Sequence, residues 1–516
     1  MKSTWEGSFM AYRYLYIPLD ERPCNYDFAY EIFNDSFLNI IRVPFEYMGL
    51  KKKPGNIQKI NDFLLQEAKN ADGIVLSIDT LLYGGIVPSR LHFFDYETVV
   101  QRLNILRQIK KENPNFKIYA FNLVMRCPRY NDDDEEPDYY LHHGLDLFNR
   151  KYIQHRIELN LATQEEINQL STISIPQEYI DDYENRRQIN CKINLACVDL
   201  VYENIIDFLI IPQDDSAPYG YTALDQLQIK NKVRAYQLQD KILTYPGADE
   251  VGNTLFARVF NTLHQKKPVV YLYYPSPLCK TIIPCAEDRA LDISARYQII
   301  AAGGIVASTI QEADLVFAIN APGKEMIATQ YRKWKGTGYS TLRNLEAFVS
   351  FIENCIYQLK IPVTIGDVGY CNGSDPQLLS FIEQKKLYFQ LAGYASWNIP
   401  CNSLGTALAM GMHYLMPHDS QKHEDFLIHR FVEDAGYDTF VRKIVREEYC
   451  EKMGYTIYDV KEQRGEFSKL VEKLLHEQIA IHMPYLKDKY EILDLYMPWS
   501  RTYEIGLKIK KKGESF

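Results

Sequence analysis

The chain has 516 residues, 46% of them hydrophobic and 24% charged, which excludes a disordered polymer and leaves room for a large core or for about two to four domains. Its formal net charge of −9 argues against a nucleic-acid or anionic-membrane surface. Ten cysteines without a C-x-x-C pair speak against a zinc ribbon or disulfide framework and for buried thiols in a reducing compartment.

The opening stretch MKSTWEGSFMAYRYLYIPLD has no apolar h-region and no small-residue cleavage site, and no run approaches the roughly 18 apolar residues of a membrane span. A cytoplasmic protein is expected, with residues 1–10 as an unstructured lead-in. The first strand is expected in RYLYIPLD. IIRVPF, GIVLSID, KIYAFNLVMR, DFLIIP, ILTYP, PVVYLYYP, ADLVFAIN, PVTIGDV and LYFQLAGYASW follow as further strands. Between them, NIQKINDFLLQEAKN, ETVVQRLNILRQIKKEN, ALDQLQIKNKVRAYQLQDK and GNTLFARVFNTLHQKK repeat apolar residues with helical spacing. This alternation implies βαβ units and a parallel sheet covered by helices.

Residues from about 131 to 200, beginning NDDDEEPDYY, break the rhythm and are expected as a polar helical insertion. The acidic run is expected as a solvated loop, and the basic runs Lys51–Lys53 and Lys508–Lys512 as solvated charge. No internal repeat is evident. We expect an α/β fold: a (β/α)-barrel-like catalytic region over residues 11–400, then a mainly helical C-terminal part over 401–516 with a closing strand in RTYEIGLKIK. The alternative is two doubly wound parallel-sheet domains split near residue 260.

In parallel α/β folds, ligands bind beyond the carboxyl ends of the strands. The residues that follow each apolar run are therefore the candidate site. The first run leads to Asp20, Glu21, Arg22 and Asn25; the third to Asp79 and Tyr83; the fourth to Arg126. The fifth ends in Gln213, Asp214 and Asp215, and the sixth leads to Asp249, Glu250 and Asn253. Later runs lead to Asp367, Asn372, Asp375, Trp397, Asn398 and Asn402. Asp249 and Asp375 also suit helix N-caps, and Asp20 with Arg22 suits a structural ion pair. Capping does not explain the recurrence at so many strand ends. Carboxylates and amides bridge hydroxyl pairs, and aromatic rings stack on the apolar faces of sugars, so the rim fits a polyhydroxylated ligand.

YIPLDERPCN, DGIVLSIDTLLYGGIVPSR, QDDSAPYG, YPGADEVG, IPCAEDR, ASWNIPCNSLGTALA and MPWSRTYEI together resemble a bacterial family catalogued as domain of unknown function 4127. The resemblance runs from about Tyr14 to Glu504 and implies no particular activity. SWNIPCNSLG stands where a Gly-Trp-Asn-Thr beginning is expected, so the departure concerns Ser396 and leaves Trp397 and Asn398 in place.

The adjacent pair Asp214 and Asp215 resembles the paired acids of substrate-assisted N-acetylhexosaminidases. In that chemistry one carboxylate orients the 2-acetamido group and its neighbour protonates the leaving oxygen. The expected function is a glycoside hydrolase acting on a small, N-acetylamino-sugar-containing glycan, with Asp215 as general acid and Asp214 as the orienting carboxylate. A conventional pairing of either residue with Asp20, Asp79, Asp249 or Glu250 is a variant of the same reading. One alternative is a Mg²⁺- or Mn²⁺-dependent hydrolase that uses Asp20, Asp79, Asp214 and Asp249. Another is a carbohydrate-binding protein without catalysis. The histidines of HYLMPHDSQKHEDFLIH suit no zinc spacing. No cofactor is expected apart from that alternative cation. The expected partner is a small-molecule or oligosaccharide substrate, with neither nucleic acid nor membrane; homo-oligomers are compatible with the sequence.

Overall fold

The computed structural model describes residues 11–513, so the expected lead-in, residues 1–10, lies outside the described residues. The first half of the chain supplies the strands Tyr12–Ile17 (β1), Leu38–Arg42 (β2), Gly73–Ser77 (β3), Lys117–Phe121 (β4), Phe208–Ile210 (β5) and Ile242–Leu243 (β6). The second supplies Val269–Tyr273 (β7), Ile305–Val306 (β8), Leu315–Asn320 (β9), Val363–Asp367 (β10) and Gly393–Ala395 (β11). A hairpin of Tyr490–Tyr496 (β12) and Gly506–Lys511 (β13) follows the last long helix.

These strands do not close into a barrel, which corrects the first expectation. They form two open parallel sheets, one of order β2-β1-β3-β4-β5-β6 and one of order β11-β10-β9-β7-β8. The two-sheet alternative fits, with the change of sheet falling between Leu243 and Val269. Read from β8, the second sheet repeats the order of the first five strands of the first sheet. The chain thus repeats one doubly wound topology that its sequence does not display. Each sheet has its switch point beside its first strand, at β1/β3 and at β7/β9, where successive connections leave in opposite directions.

The first sheet is apolar on both faces, as a covered parallel sheet must be. Leu15, Ile17, Ile74, Leu76 and Leu209 face one core, packed by helices that carry Ile60, Leu64, Leu106 and Ile229. Tyr14, Tyr16, Val75 and Phe121 face a second core that continues into Val270, Leu272, Val316 and Phe317 of the other sheet. The polar stretch between β4 and β5 forms Tyr140–Glu158 (α1), Gln164–Thr172 (α2) and Gln177–Tyr202 (α3).

Two helices join the sheets. Val251–Leu263 (α4) packs on both β3 and Pro400–Tyr414 (α5). Every residue of α5 from Pro400 to His413 is buried. Phe256 of α4 meets Tyr16 edge to face at 5.1 Å. A shared apolar core of this kind fixes the sheets relative to each other, whereas a thin polar contact would leave them free to move. The ten cysteines are unpaired and nine of them are buried. Among the described residues, no helix is long and apolar enough to cross a membrane.

The junction has little spare room at Gly252, where a Cβ would lie 2.2 Å from the Tyr16 hydroxyl. That hydroxyl is fixed by donating to the Asn25 carbonyl at 2.6 Å. Gly252→Ala is expected to cost about 1–3 kcal/mol, read from urea unfolding. Adding Tyr16→Phe should recover part of it, and full additivity of the two losses would refute this contact as the cause.

Candidate functional site

A cavity of about 310 Å³ opens where the carboxyl ends of both sheets converge. The first sheet contributes Arg22 after β1, Arg90 after β3, Arg126 after β4, Asp214 and Asp215 after β5, and Asp249 after β6. The second contributes Asn372 after β10, and Trp397 and Asn398 after β11. The C-terminal region covers it with Glu433, Asp438, Arg442, Tyr458, Arg501, Tyr503 and Glu504.

Four buried arginines hold the carboxylates of the wall. Arg22 binds Asp20 and Asp249, each at 2.6 Å. Arg90 reaches Asp214 at 2.7 Å and Glu135 at 3.0 Å. Arg126 binds Glu136 at 2.6 Å and Asp215 at 3.1 Å, and stands 3.9 Å from Asp214. Arg501 binds Glu135 and, at 3.1 Å, Glu504. Trp499 lies beneath two of these cations, with Arg22 at 4.5 Å and Arg501 at 4.3 Å from its ring; such stacking favours guanidinium over ammonium.

The pair Asp214 and Asp215 is electrostatically unequal. Burial, and then the neighbouring Asp215, push the Asp214 carboxyl up to about 6 against the pull of Arg126 and Arg90. Burial also raises Asp215, while Arg126 and Arg90 draw it back. Glu135, in spite of its burial, is held well below the ordinary carboxylate range by Arg126, Arg501 and Arg90.

The loops that present these groups adopt backbone conformations that side chains ordinarily avoid. Asp215 has φ 35°, Asn372 59°, Asn398 51° and Trp499 55°. Asn372 and Asn398 lock together through an N–H to carbonyl bond of 2.8 Å. Left-handed residues of this kind cost about 1–3 kcal/mol each and persist where surrounding contacts fix them, commonly at functional sites.

Of the residues expected at the rim, Arg22, Arg126, Asp214, Asp215, Asp249, Asn372, Trp397 and Asn398 line this cavity. Asp20, Asn25 and Asn402 stand behind it. Asn25 and Asn402 donate to Asp249 at 2.9 and 3.3 Å, and Asp20 anchors Arg22. The remainder serve the scaffold. Asp79 accepts from the Leu123 N–H at 2.9 Å and so joins the ends of β3 and β4. Tyr83 stacks on His92 at 4.5 Å. Gln213 extends the ladder by bridges to Val124 and Pro246. Glu250 accepts from Gln298 at 2.9 Å, and Asn253 donates to Thr406 at 3.3 Å. Asp375 caps the helix Pro376–Lys385 and pairs with Arg343 at 2.5 Å.

The aspartates considered for a divalent ion are thus paired with arginines and amides. Among the described residues no group of three or more His, Cys, Asp or Glu side chains is arranged to hold a metal. The acidic run also departs from expectation: Asp134 and Glu135 line the cavity and Glu136 is 0% exposed. Its counterions, Arg90 and Arg501, fall inside the family-like blocks GGIVPSR and MPWSRTYEI but not at the end of an apolar run, so the strand-end rule passes over them.

Glu21 beside the cavity provides a check on this electrostatics. Burial, and then Asp20, push its carboxyl up to about 7, and it accepts from Trp499 Nε1 at 2.6 Å and the Lys51 N–H at 2.9 Å. Its folded value lies above its ordinary 4.5. Its stabilising contribution is therefore complete below pH 4.5 and lost as pH rises through about 7. Trp499→Phe, which keeps a ring but removes the N–H, is expected to cost about 1–3 kcal/mol, with the larger cost at pH 8 than at pH 5. Equal shifts of the urea midpoint at both pH values would show that the indole does not serve Glu21.

Comparison with known proteins finds no matching curated protein and no matching solved structure. One family does match, over residues 14–508 and hence nearly the whole chain. Strand ends, capping arginines and the returning C-terminal segment all fall within that span, and the chain belongs to the family described as "Protein of unknown function (DUF4127)".

Proposed function

We propose that the cavity binds a small polyhydroxylated ligand and that the protein is a glycoside hydrolase in which Asp214 is the general acid. The observation that carries this reading is the inequality of the paired aspartates in the cavity wall. Burial and the adjacent Asp215 push Asp214 up to about 6, while Arg126, at 3.1 Å, and Arg90 oppose the rise that burial gives Asp215. This reverses the roles expected from the sequence. Separation of the two titrations is what acid and base work by neighbouring carboxyls requires.

The lining supports a sugar in other ways. Trp397, Tyr130, Tyr458 and Tyr503 offer ring faces, and Asn131, Asn372 and Asn398 offer paired donors and acceptors. On an N-acetylamino sugar, Asp214 gives its proton to the glycosidic oxygen as the C–O bond breaks. The acetamido oxygen forms the new bond to the anomeric carbon, and Asp215 holds the acetamido N–H. Water then opens the cyclic intermediate and returns a proton to Asp214. Where the substrate has no acetamido group, Asp249 is the second carboxylate.

A binding protein without catalysis is favoured by one observation: both aspartates are already paired with arginines, as groups that grip a ligand often are. Hydrolysis of a panel of aryl glycosides separates the two readings. Asp214→Asn and Asp215→Asn are each expected to lower kcat by about 10²–10⁴ with unchanged circular dichroism. The rate should fall as pH rises through about 6, because the acid then loses its proton. Turnover retained in both variants would overturn the paired-acid reading. Sugar binding by calorimetry without turnover of any glycoside would establish the binding protein instead.

A further inference from the structure

A second cavity, of about 420 Å³, lies beside the first and shares Asn372, Asp438, Arg442 and Tyr503 with it. Its charge is of the opposite kind. Arg332, Lys333, Arg442, Lys443 and Arg446 line it, with Asp438 and Glu447 as the carboxylates. Arg442 takes Asp438 at 2.9 Å, and Lys443 stands 3.8 Å from Glu447. Neither Arg332 nor Arg446 has an ion-pair partner among the described residues.

Both guanidiniums are nevertheless fixed. Arg446 donates to Thr502 Oγ1 at 2.9 Å and to the Thr502 carbonyl at 3.2 Å. Arg332 donates to the Thr439 carbonyl at 2.8 Å. Arg442 donates to the Tyr503 carbonyl at 2.8 Å and to the Asn372 carbonyl. Neutral carbonyls orient a cation without cancelling its charge. Arg442 and Arg446 are four residues apart on one helical segment, a spacing at which like charges repel. Burial, and then Arg442, push Arg446 below its ordinary value, which is the mark of a cation without its counterion. Immobilised guanidiniums around one cavity recognise anionic oxygens, with little ordering left to do on binding.

We propose that this second cavity is an oxyanion subsite, which receives a phosphate monoester or carboxylate group of the ligand whose hydroxyls occupy the first cavity. As a subsite of a sugar site it rests on the proposed function; as an oxyanion site it stands without it. The substrate class it implies is an acidic or phosphorylated sugar.

Titration calorimetry of the full chain at low salt tests the proposal with inorganic phosphate, glucose 6-phosphate, glucuronate and glucose as probes. Phosphate should bind saturably. Arg332→Gln and Arg446→Gln should each weaken it about tenfold or more, an effect that added salt diminishes. Whichever of glucose 6-phosphate and glucuronate binds more tightly than glucose identifies the anionic group. Should Arg446→Gln fail to fold for want of its Thr502 bonds, Arg332→Gln, whose one close bond is to a carbonyl, decides alone. Absence of saturable binding by every anion at millimolar concentration, or unchanged affinity in the folded variants, would overturn the subsite. Asp214→Asn should keep its phosphate affinity. Phosphate binding that depends on Arg332 without turnover of any glycoside would refute the hydrolase and leave the subsite standing. Glycoside turnover indifferent to both arginines would do the reverse.

Discussion

The site depends on four buried arginines, each shared between carboxylates from distant parts of the chain. Arg22 ties the loop after β1 to that after β6. Arg90 ties the loop after β3 to that after β5 and to the acidic run. Arg126 does the same from β4, and Arg501 brings the C-terminal segment onto the acidic run. Burying an unpaired guanidinium costs several kcal/mol, and a buried ion pair adds little net stability over apolar packing. Its effect is positional: leaving one partner unpaired is costly, so each loop has one acceptable placement. Loops from distant parts of the chain are brought to a single cavity in this way.

That placement needs a fixed base. The two sheets share one apolar core through α4 and α5, and α5 is buried along its length. A cleft between domains joined by a thin polar contact closes by hinge motion. Here the sheets cannot separate without exposing that core, so the cavity is preformed. Left-handed Asp215, Asn372 and Asn398 fit this picture, since strained loops persist only on a rigid support.

Much of this was legible in the sequence because it is local. Alternating apolar runs located β1 to β7 and β9 to β11, and the strand-end rule led to Arg22, Arg126, Asp214, Asp215, Asp249, Asn372, Trp397 and Asn398. Strand order was not local. A closed barrel and two open sheets are built from the same βα unit, and the difference lies in whether β6 pairs onward, which no nearby residue records. The two-residue β8 is too short to show a period. The acidic run read as solvated because two of its counterions, Arg90 and Arg501, lie 45 and 366 positions from Glu135. Trp499 reaches Glu21 across 478 positions. Conversely, Asp79, Gln213 and Asp375 stand at strand ends and serve the scaffold, because a strand end still has two sides and only one faces the cavity.

The charge balance of the cavity then gives Asp214 its character. Arg22, Arg90, Arg126, Arg442 and Arg501 face a larger set of carboxylates, among them Asp134, Glu135, Asp214, Asp215, Asp249, Glu433, Asp438 and Glu504. Not all of these can be ionised at once in so small a volume. Glu135, with Arg126, Arg501 and Arg90 around it, keeps its charge. Asp214 shares Arg90 with Glu135 and Glu136, and stands beside Asp215. Its burial is therefore only partly compensated, and its carboxyl is pushed up to about 6. The same arginines that assemble the wall thus leave one carboxyl in it poised near neutrality, and a proton held there is available to whatever the cavity binds.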